Sequence, residues 1–198
     1  MILFVAAMKE EISEIIKDKH PNTDVLLTGI GKVNAAMKLT HYIAKHKVDK
    51  IINIGFAGGN MTYDVNDIVL IEKTIYHDFD LSLFGYKKGQ VPGYPAVFNS
   101  NKEMLEMAQK AFNNVKKGDL YTGDYFMATP ISNPAVFDME GASLYQVAHT
   151  YQIPIISIKI ISDVIGMDDH YKAYKTFEQT KGAQMIHHIY EKIKEEFS

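Results

Sequence analysis

Short apolar runs alternate with segments of helical periodicity along most of this chain, and that alternation restricts the fold more than any other feature. Residues 2–6 are apolar but too few for a helix, so they read as a buried strand. In residues 8–18 a rotation of about 100° per residue puts Met8, Ile12, Ile15 and Ile16 on one inward stripe. Residues 24–28 read as a second strand, Gly29-Ile30-Gly31 as a turn, and 32–46 as a helix. Residues 50–54 form a third strand, Gly55 to Gly59 a Gly-rich turn, and 67–71 a further strand. Residues 76–98, rich in aromatics, Gly and Pro without a period, read as an ordered loop packed on something. A helix at 101–114, a strand at 118–122, a helix at 139–150, a strand at 153–161 and a terminal helix at 170–196 complete the pattern. Such alternation implies an α/β fold of three layers, αβα, with a mainly parallel sheet covered on both faces. The 198 residues suffice for one such domain. In these sheets ligands bind beyond the carboxyl ends of the strands.

Charge and composition exclude several functions. With 21 basic against 24 acidic residues the chain has a net charge of −3, and nothing draws it to nucleic acid or to an anionic membrane. Every basic residue is Lys, so the bidentate guanidinium fork that usually holds a phosphate is missing. There is no Cys, which excludes a disulfide frame, a Cys-ligated zinc and a thiol nucleophile. The apolar start lacks a basic flank and is followed at once by Lys9-Glu10-Glu11, so it does not read as a signal peptide, and no run is long enough to span a bilayer. A cytoplasmic protein is expected.

Several motifs fail on inspection. Gly29-Ile30-Gly31-Lys32-Val33 lacks the spacing and the hydroxyl residue of a phosphate loop, and Gly55-Phe56-Ala57-Gly58-Gly59 lacks dinucleotide-loop spacing. Those glycines either allow tight turns or let backbone N–H groups approach a small ligand. His187-His188 has no ligand partner one turn on and reads as a solvated helix face, so no metal is expected.

Acids at strand ends and helix starts carry the chemistry. Glu11 falls beside the inward stripe of its helix, the one acid of its cluster expected to be partly buried. Asp163 ends an Ile-rich central strand, where it either caps a turn or faces a ligand. Within that strand Lys159 interrupts an apolar series, and a buried ammonium requires a nearby carboxylate. Glu140, near the start of a helix, either answers the helix dipole or serves as partner of Lys159 or acceptor for ligand hydroxyls. Together these groups suggest general acid–base work on a small polar molecule.

Read in order, Ala7-Met8-Lys9-Glu10-Glu11, Thr28-Gly29-Ile30-Gly31-Lys32-Val33-Asn34-Ala35-Ala36, Asn53-Ile54-Gly55-Phe56-Ala57-Gly58-Gly59, Tyr76-His77-Asp78-Phe79-Asp80, Phe84-Gly85-Tyr86, Gly89-Gln90-Val91-Pro92-Gly93, Gly123-Asp124-Tyr125-Phe126, Asp138-Met139-Glu140-Gly141-Ala142 and Ile161-Ser162-Asp163 follow a known pattern. The chain resembles, nearly end to end, the bacterial 5′-methylthioadenosine/S-adenosylhomocysteine nucleosidases of the nucleoside phosphorylase superfamily. The resemblance implies a nucleoside phosphorylase-like fold with a mixed, mainly parallel sheet. It also implies hydrolysis of the N-glycosidic bond of a purine thio-nucleoside to release adenine, without a cofactor. On it, Asp163 matches the general acid that protonates the purine at N7, Ser162 the residue that sets that acid, and Glu11 the glutamate that activates water. Met139 and Glu140 match ribose contacts, Phe126 the residue stacked on the purine, and Met127 the one presenting its backbone to the base edge. Met8, Ala57 and Gly58 fall among the substrate-binding positions. Leu81, Phe84 and Pro92 match positions that line the neighbour's 5′-substituent pocket across a homodimer interface.

This chain departs from that pattern at definite places. Phe56 stands where a small hydroxyl residue is usual, which puts a bulky ring near the sugar and water. Lys159 replaces an Arg near the ribose. The segments before Thr28 and between Met127 and Asp138 are shortened, and Tyr171 or Tyr174 takes the place of the lid aromatic. A purine nucleoside phosphorylase and a non-catalytic nucleoside-binding protein are the competing readings.

Overall fold

The computed structural model describes residues 1–16, 20–60, 62–129 and 133–197. The first half of the chain runs β1 (Ile2–Ala6), α1 (Lys9–Ile12), β2 (Thr23–Leu27), α2 (Lys32–Ile43), β3 (Lys50–Gly59) and β4 (Ile68–Tyr76). The second runs β5 (Phe98–Asn99), α3 (Lys102–Ala111), β6 (Lys116–Thr122), β7 (Val136–Asp138), α4 (Gly141–Tyr151), β8 (Ile155–Val164), α5 (His170–Phe177) and α6 (Ala183–Phe197).

Alternation along the strands produces the layers. In β1, Ile2, Phe4 and Ala6 enter a core shared with α3 and α6, whereas Leu3 and Val5 enter one shared with α2 and α4. Side chains on successive strand residues point to opposite faces, so a strand apolar at every position needs cover on both sides. The α/β layering expected from the sequence, with the sheet covered on both faces, is thereby formed.

The sheet is mixed. β2, β1, β3 and β8 run parallel, β4 lies antiparallel to β8, and β6 and β7 run parallel to β4. The end of β3 then meets β7 antiparallel, Gly58 opposite Phe137 and Gly59 opposite Val136, so β3, β8, β4, β6 and β7 close into a ring. Ala57, Tyr63, Val69, Ile71, Leu120, Val136 and Ile161 fill the inside of that curve.

The tertiary context revises several local expectations. The Gly-rich stretch Gly55 to Gly59 is strand, not turn, because β3 continues through it to pair with β8 and β7. β4 extends to Tyr76, beyond the expected end at Ile71. The brief β5 and β7, three residues or fewer, were not foreseen. The helix expected over 8–18 is regular only to Ile12, with turns to Ile16, and Lys17 and Asp18 lie outside the described residues. Ile16 is consequently 55% exposed and not part of the inward stripe. The terminal helix is interrupted by a π turn at Glu178–Gly182, where a Cβ on Gly182 would lie 2.3 Å from Phe56 Cζ. Phe56 therefore turns its ring into the core, edge-on to Phe177 with centroids 5.1 Å apart. The expectation of a bulky ring beside sugar and water is revised: the ring packs edge-on to Phe177 in the core, and the Phe56 N–H faces Glu11.

Candidate active site

β1, β3, β6, β7 and β8 deliver their carboxyl ends to one cavity of about 330 Å³. Glu11, Glu140 and Asp163 line it together with Met8, Phe56, Ala57, Gly58, Phe126, Met127, Met139, Ser162 and Tyr171. Residues far apart in sequence thus converge where an α/β sheet presents ligands. Lys159 lies behind the wall, and Leu81, Phe84 and Pro92 lie elsewhere, on the 76–98 loop, with Phe84 75% exposed.

Glu11 is held by main-chain groups from two elements. Its Oε2 accepts from the N–H of Ala7 at 2.9 Å and of Met8 at 2.8 Å, and its Oε1 from that of Phe56 at 2.8 Å. The side chain reaches back because the start of α1 has free N–H groups. It is buried more completely than its place at the edge of a helical stripe predicts, at 3% exposure. Gly55 makes room for it, since a Cβ there would fall 2.5 Å from Glu11 Oε1. Burial raises the Glu11 pKa against the opposing pull of Lys159 and of the three N–H donors.

Lys159 finds the carboxylate that its burial requires, but the partner is Asp138, not Glu140. Lys159 Nζ lies 3.0 Å from Asp138 Oδ2. Asp138 Oδ1 also accepts from Thr122 Oγ1 at 2.6 Å, and its Oδ2 from the Gly141 N–H at 2.9 Å. Burial works against the ammonium, yet Asp138, Glu11 and Glu140 outweigh it and hold the Lys159 pKa above its ordinary value.

Glu140 sits immediately before α4, and its Oε1 accepts from the Gly31 N–H at 2.8 Å. Burial and the Asp138 charge push its pKa up to about 8, against Lys159 and Gly31. At the far end of β8, Asp163 is 1% exposed. Its Oδ1 accepts from Ser162 Oγ at 2.7 Å, while Oδ2, buried, has no hydrogen-bond partner among the described residues. Burial raises this pKa as well, against Ser162 and His170. Desolvation thus favours the neutral form of a carboxyl whose second oxygen has no partner among the described residues.

These shifts have a common sign. From the ordinary 4.5 up to about 8 for Glu140, the folded chain holds a proton that the unfolded chain has released. The raised pKa values of Glu11 and Asp163 act in the same direction. The stability of the ligand-free protein is therefore expected to fall as pH rises from about 5 to about 8. Glu140→Gln should flatten that fall. Urea midpoints measured across the interval check it, and a midpoint that rises with pH would contradict the assignment.

The cavity also has walls to which the sequence reading gave no role: Ala7, Ile30, Tyr125, Phe137, Asp138 and Ile165. Asp138 had a signal, the demand of Lys159 for an anion, but spacing alone did not choose it over Glu140. Both lid candidates are present. Tyr174 is anchored, its hydroxyl donating to Glu178 Oε1 at 2.9 Å, whereas Tyr171 is 60% exposed at the rim. Phe126 meets the edges of both tyrosines and stacks on His170 with ring centroids 5.2 Å apart.

Known proteins resemble this chain in sequence and fold. The family model described as Phosphorylase superfamily matches residues 21–193. A 5′-methylthioadenosine/S-adenosylhomocysteine nucleosidase of Bacillus cereus is 34% identical over 204 residues, covering 85% of this chain and 88% of the relative. A Borrelia burgdorferi structure described as such a nucleosidase and bound to adenine superposes with a TM-score of 0.88 at 32% identity, covering 98% of this chain and 99% of that one. The Neisseria meningitidis nucleosidase in complex with methylthio-immucillin-A gives 0.84 at 28% identity, with 97% of each chain covered.

Proposed function

The chain belongs to the 5′-methylthioadenosine/S-adenosylhomocysteine nucleosidase family of the phosphorylase superfamily, a family of N-glycosidic hydrolases, and we propose that it cleaves a purine thio-nucleoside of that type to release adenine. The observation that carries this reading is the placing of Glu11 and Asp163 along β3. Glu11 is bound at Phe56 N, and Asp163 Oδ2 would be 3.3 Å from a Cβ on Gly58. Two residues of strand separate these anchor points by about 7 Å. That span suits a glycosidic bond with a proton donor on one side and a held water on the other.

Leaving-group departure from a nucleoside builds positive charge on the sugar and negative charge on the purine, and each residue answers one of these demands. Asp163 donates from Oδ2 toward purine N7, so the base leaves neutral. Ser162, on Oδ1, keeps the acid in that orientation. Glu11 takes the proton of the attacking water and, as an anion, favours the oxocarbenium-like sugar. Its raised pKa brings the base closer to the working pH, where such transfer is efficient. Glu140 accepts from the ribose hydroxyls, Met8 and Met139 pack on the sugar side, and Phe126 and Met127 receive the base. Lys159 balances the charge of the surrounding carboxylates. Tyr171 closes the mouth.

The working unit in this reading is a homodimer, with Leu81, Phe84 and Pro92 completing the partner's 5′-substituent pocket. Support comes from apolar side chains left open on the 76–98 loop and on α2: Leu83 is 97%, Phe84 75%, Val33 74% and Met37 55% exposed. Among the described residues, no helix is long and apolar enough to cross a membrane.

Chromatography after incubation with 5′-methylthioadenosine or S-adenosylhomocysteine tests the proposal. Adenine is expected in phosphate-free buffer. Turnover that strictly requires phosphate would make the protein a phosphorylase, and tight binding of a nucleoside that stays intact would make it a binding protein.

A further inference from the structure

Lys32, the first residue of α2, stands beside the cavity without lining it. Its Nζ lies 2.6 Å from Asp78 Oδ2 and 3.6 Å from Asp124 Oδ2. The same Asp78 oxygen accepts from the Asp124 N–H at 2.8 Å, and the N–H of Lys32 itself donates to Asp124 Oδ1 at 2.8 Å. One residue therefore grips Asp124 through both its side chain and its main chain. Asp124 leads directly into Tyr125, Phe126 and Met127, which form the side of the cavity assigned to the base. The neighbouring N–H, that of Gly31, donates to Glu140 Oε1, the side assigned to the ribose. Consecutive N–H groups at the start of α2 thus hold the two halves of the site.

The ion pair has the setting to matter. The Lys32 and Asp78 side chains are 22% and 16% exposed, so solvent screens them less than an open surface pair. Burial works against the Asp78 carboxylate, but the Lys32 ammonium and the Asp124 N–H hold its pKa below its ordinary value.

We propose that Lys32 is a positioning residue, which through Asp78 and Asp124 sets the base-side segment at a fixed place relative to Glu140 and so keeps purine and ribose in register. The proposal rests on the nucleosidase reading of the cavity. Small misplacements of positioning groups cost rate or affinity without touching the reacting atoms.

Steady-state adenine release by the full chain tests this with two variants. Lys32→Met should raise KM for 5′-methylthioadenosine about 10-fold and lower kcat by less than about 3-fold, a loss of binding that is uniform along the reaction. Lys32→Arg, which can still pair with Asp78, should stay within about 3-fold of wild type in both. A second readout needs no turnover: amide hydrogen exchange of the Asp124–Phe126 segment in the ligand-free protein should accelerate about 10-fold in Lys32→Met. Should that variant fail to fold, Asp78→Asn breaks the same pair from the other side and must reproduce the faster exchange. Unchanged exchange, or a fall in kcat at constant KM, overturns the proposal. If the wild-type chain releases no adenine, the nucleosidase reading fails by itself, and the exchange measurement still decides whether the clamp holds the segment.

Discussion

Asp163→Asn is expected to lower kcat for adenine release by at least about 100-fold, with KM changed only a few-fold, the range spanned by loss of a positioned general acid. The reason is local. Asn has the shape of Asp and can still accept from Ser162 Oγ, so the cavity keeps its form. It cannot supply a transferable carboxyl proton, the form that burial favours at this position. Wild-type activity should decline as pH rises through the pKa of this acid in the complex, and the variant should lose that limb of its profile. A riboside whose leaving group is already a good anion, such as 4-nitrophenolate, should suffer much less from the change, since it needs no proton. A variant within about 3-fold of wild type on 5′-methylthioadenosine would remove Asp163 from the mechanism.

Glu11→Gln should cost kcat about 100-fold or more by removing the base that activates water, while leaving nucleoside binding within about 5-fold. Geometry makes the stability cost of this change definite as well. The carboxylate accepts three main-chain N–H groups, two on Oε2 and one on Oε1. A Gln amide can satisfy the pair on one atom but must turn N–H toward N–H at the other, at about 1–3 kcal/mol for the unsatisfied donor. The relief of burying a neutral group in place of a raised-pKa acid opposes that loss. Calorimetry with an intact nucleoside, run beside the kinetics, separates loss of chemistry from loss of fold. Equal losses in binding and turnover would assign Glu11 to structure instead of catalysis.

How much could be read without coordinates follows from the range of each interaction. The strands of the core were legible wherever their signal was local: β1 is apolar at every position, β8 is Ile-rich, and both lie near their expected places. Glu11, Glu140 and Asp163 were legible because each stands at a strand end or helix start, where an α/β fold brings chemistry together. Lys159 announced a buried anion by charge alone. The identity of that anion was not legible, since Asp138 and Glu140 are two residues apart and only the close of the ring by β7 turns one toward Lys159 and the other toward Gly31.

Apolar periodicity and the order of the motifs determined by themselves the α/β class, the family and the acids assigned to the chemistry, because those signals lie within single elements. Tertiary structure decided what depends on approach between distant segments. Gly55 to Gly59 became strand because β8 and β7 were there to pair with it. Phe56, still at the cavity wall, packs its ring into the core because Gly182 in a π turn opened a place for it. Burial raised the pKa values of three carboxyls, a change no spacing of residues can encode, since desolvation is a property of the assembled neighbours and not of the chain.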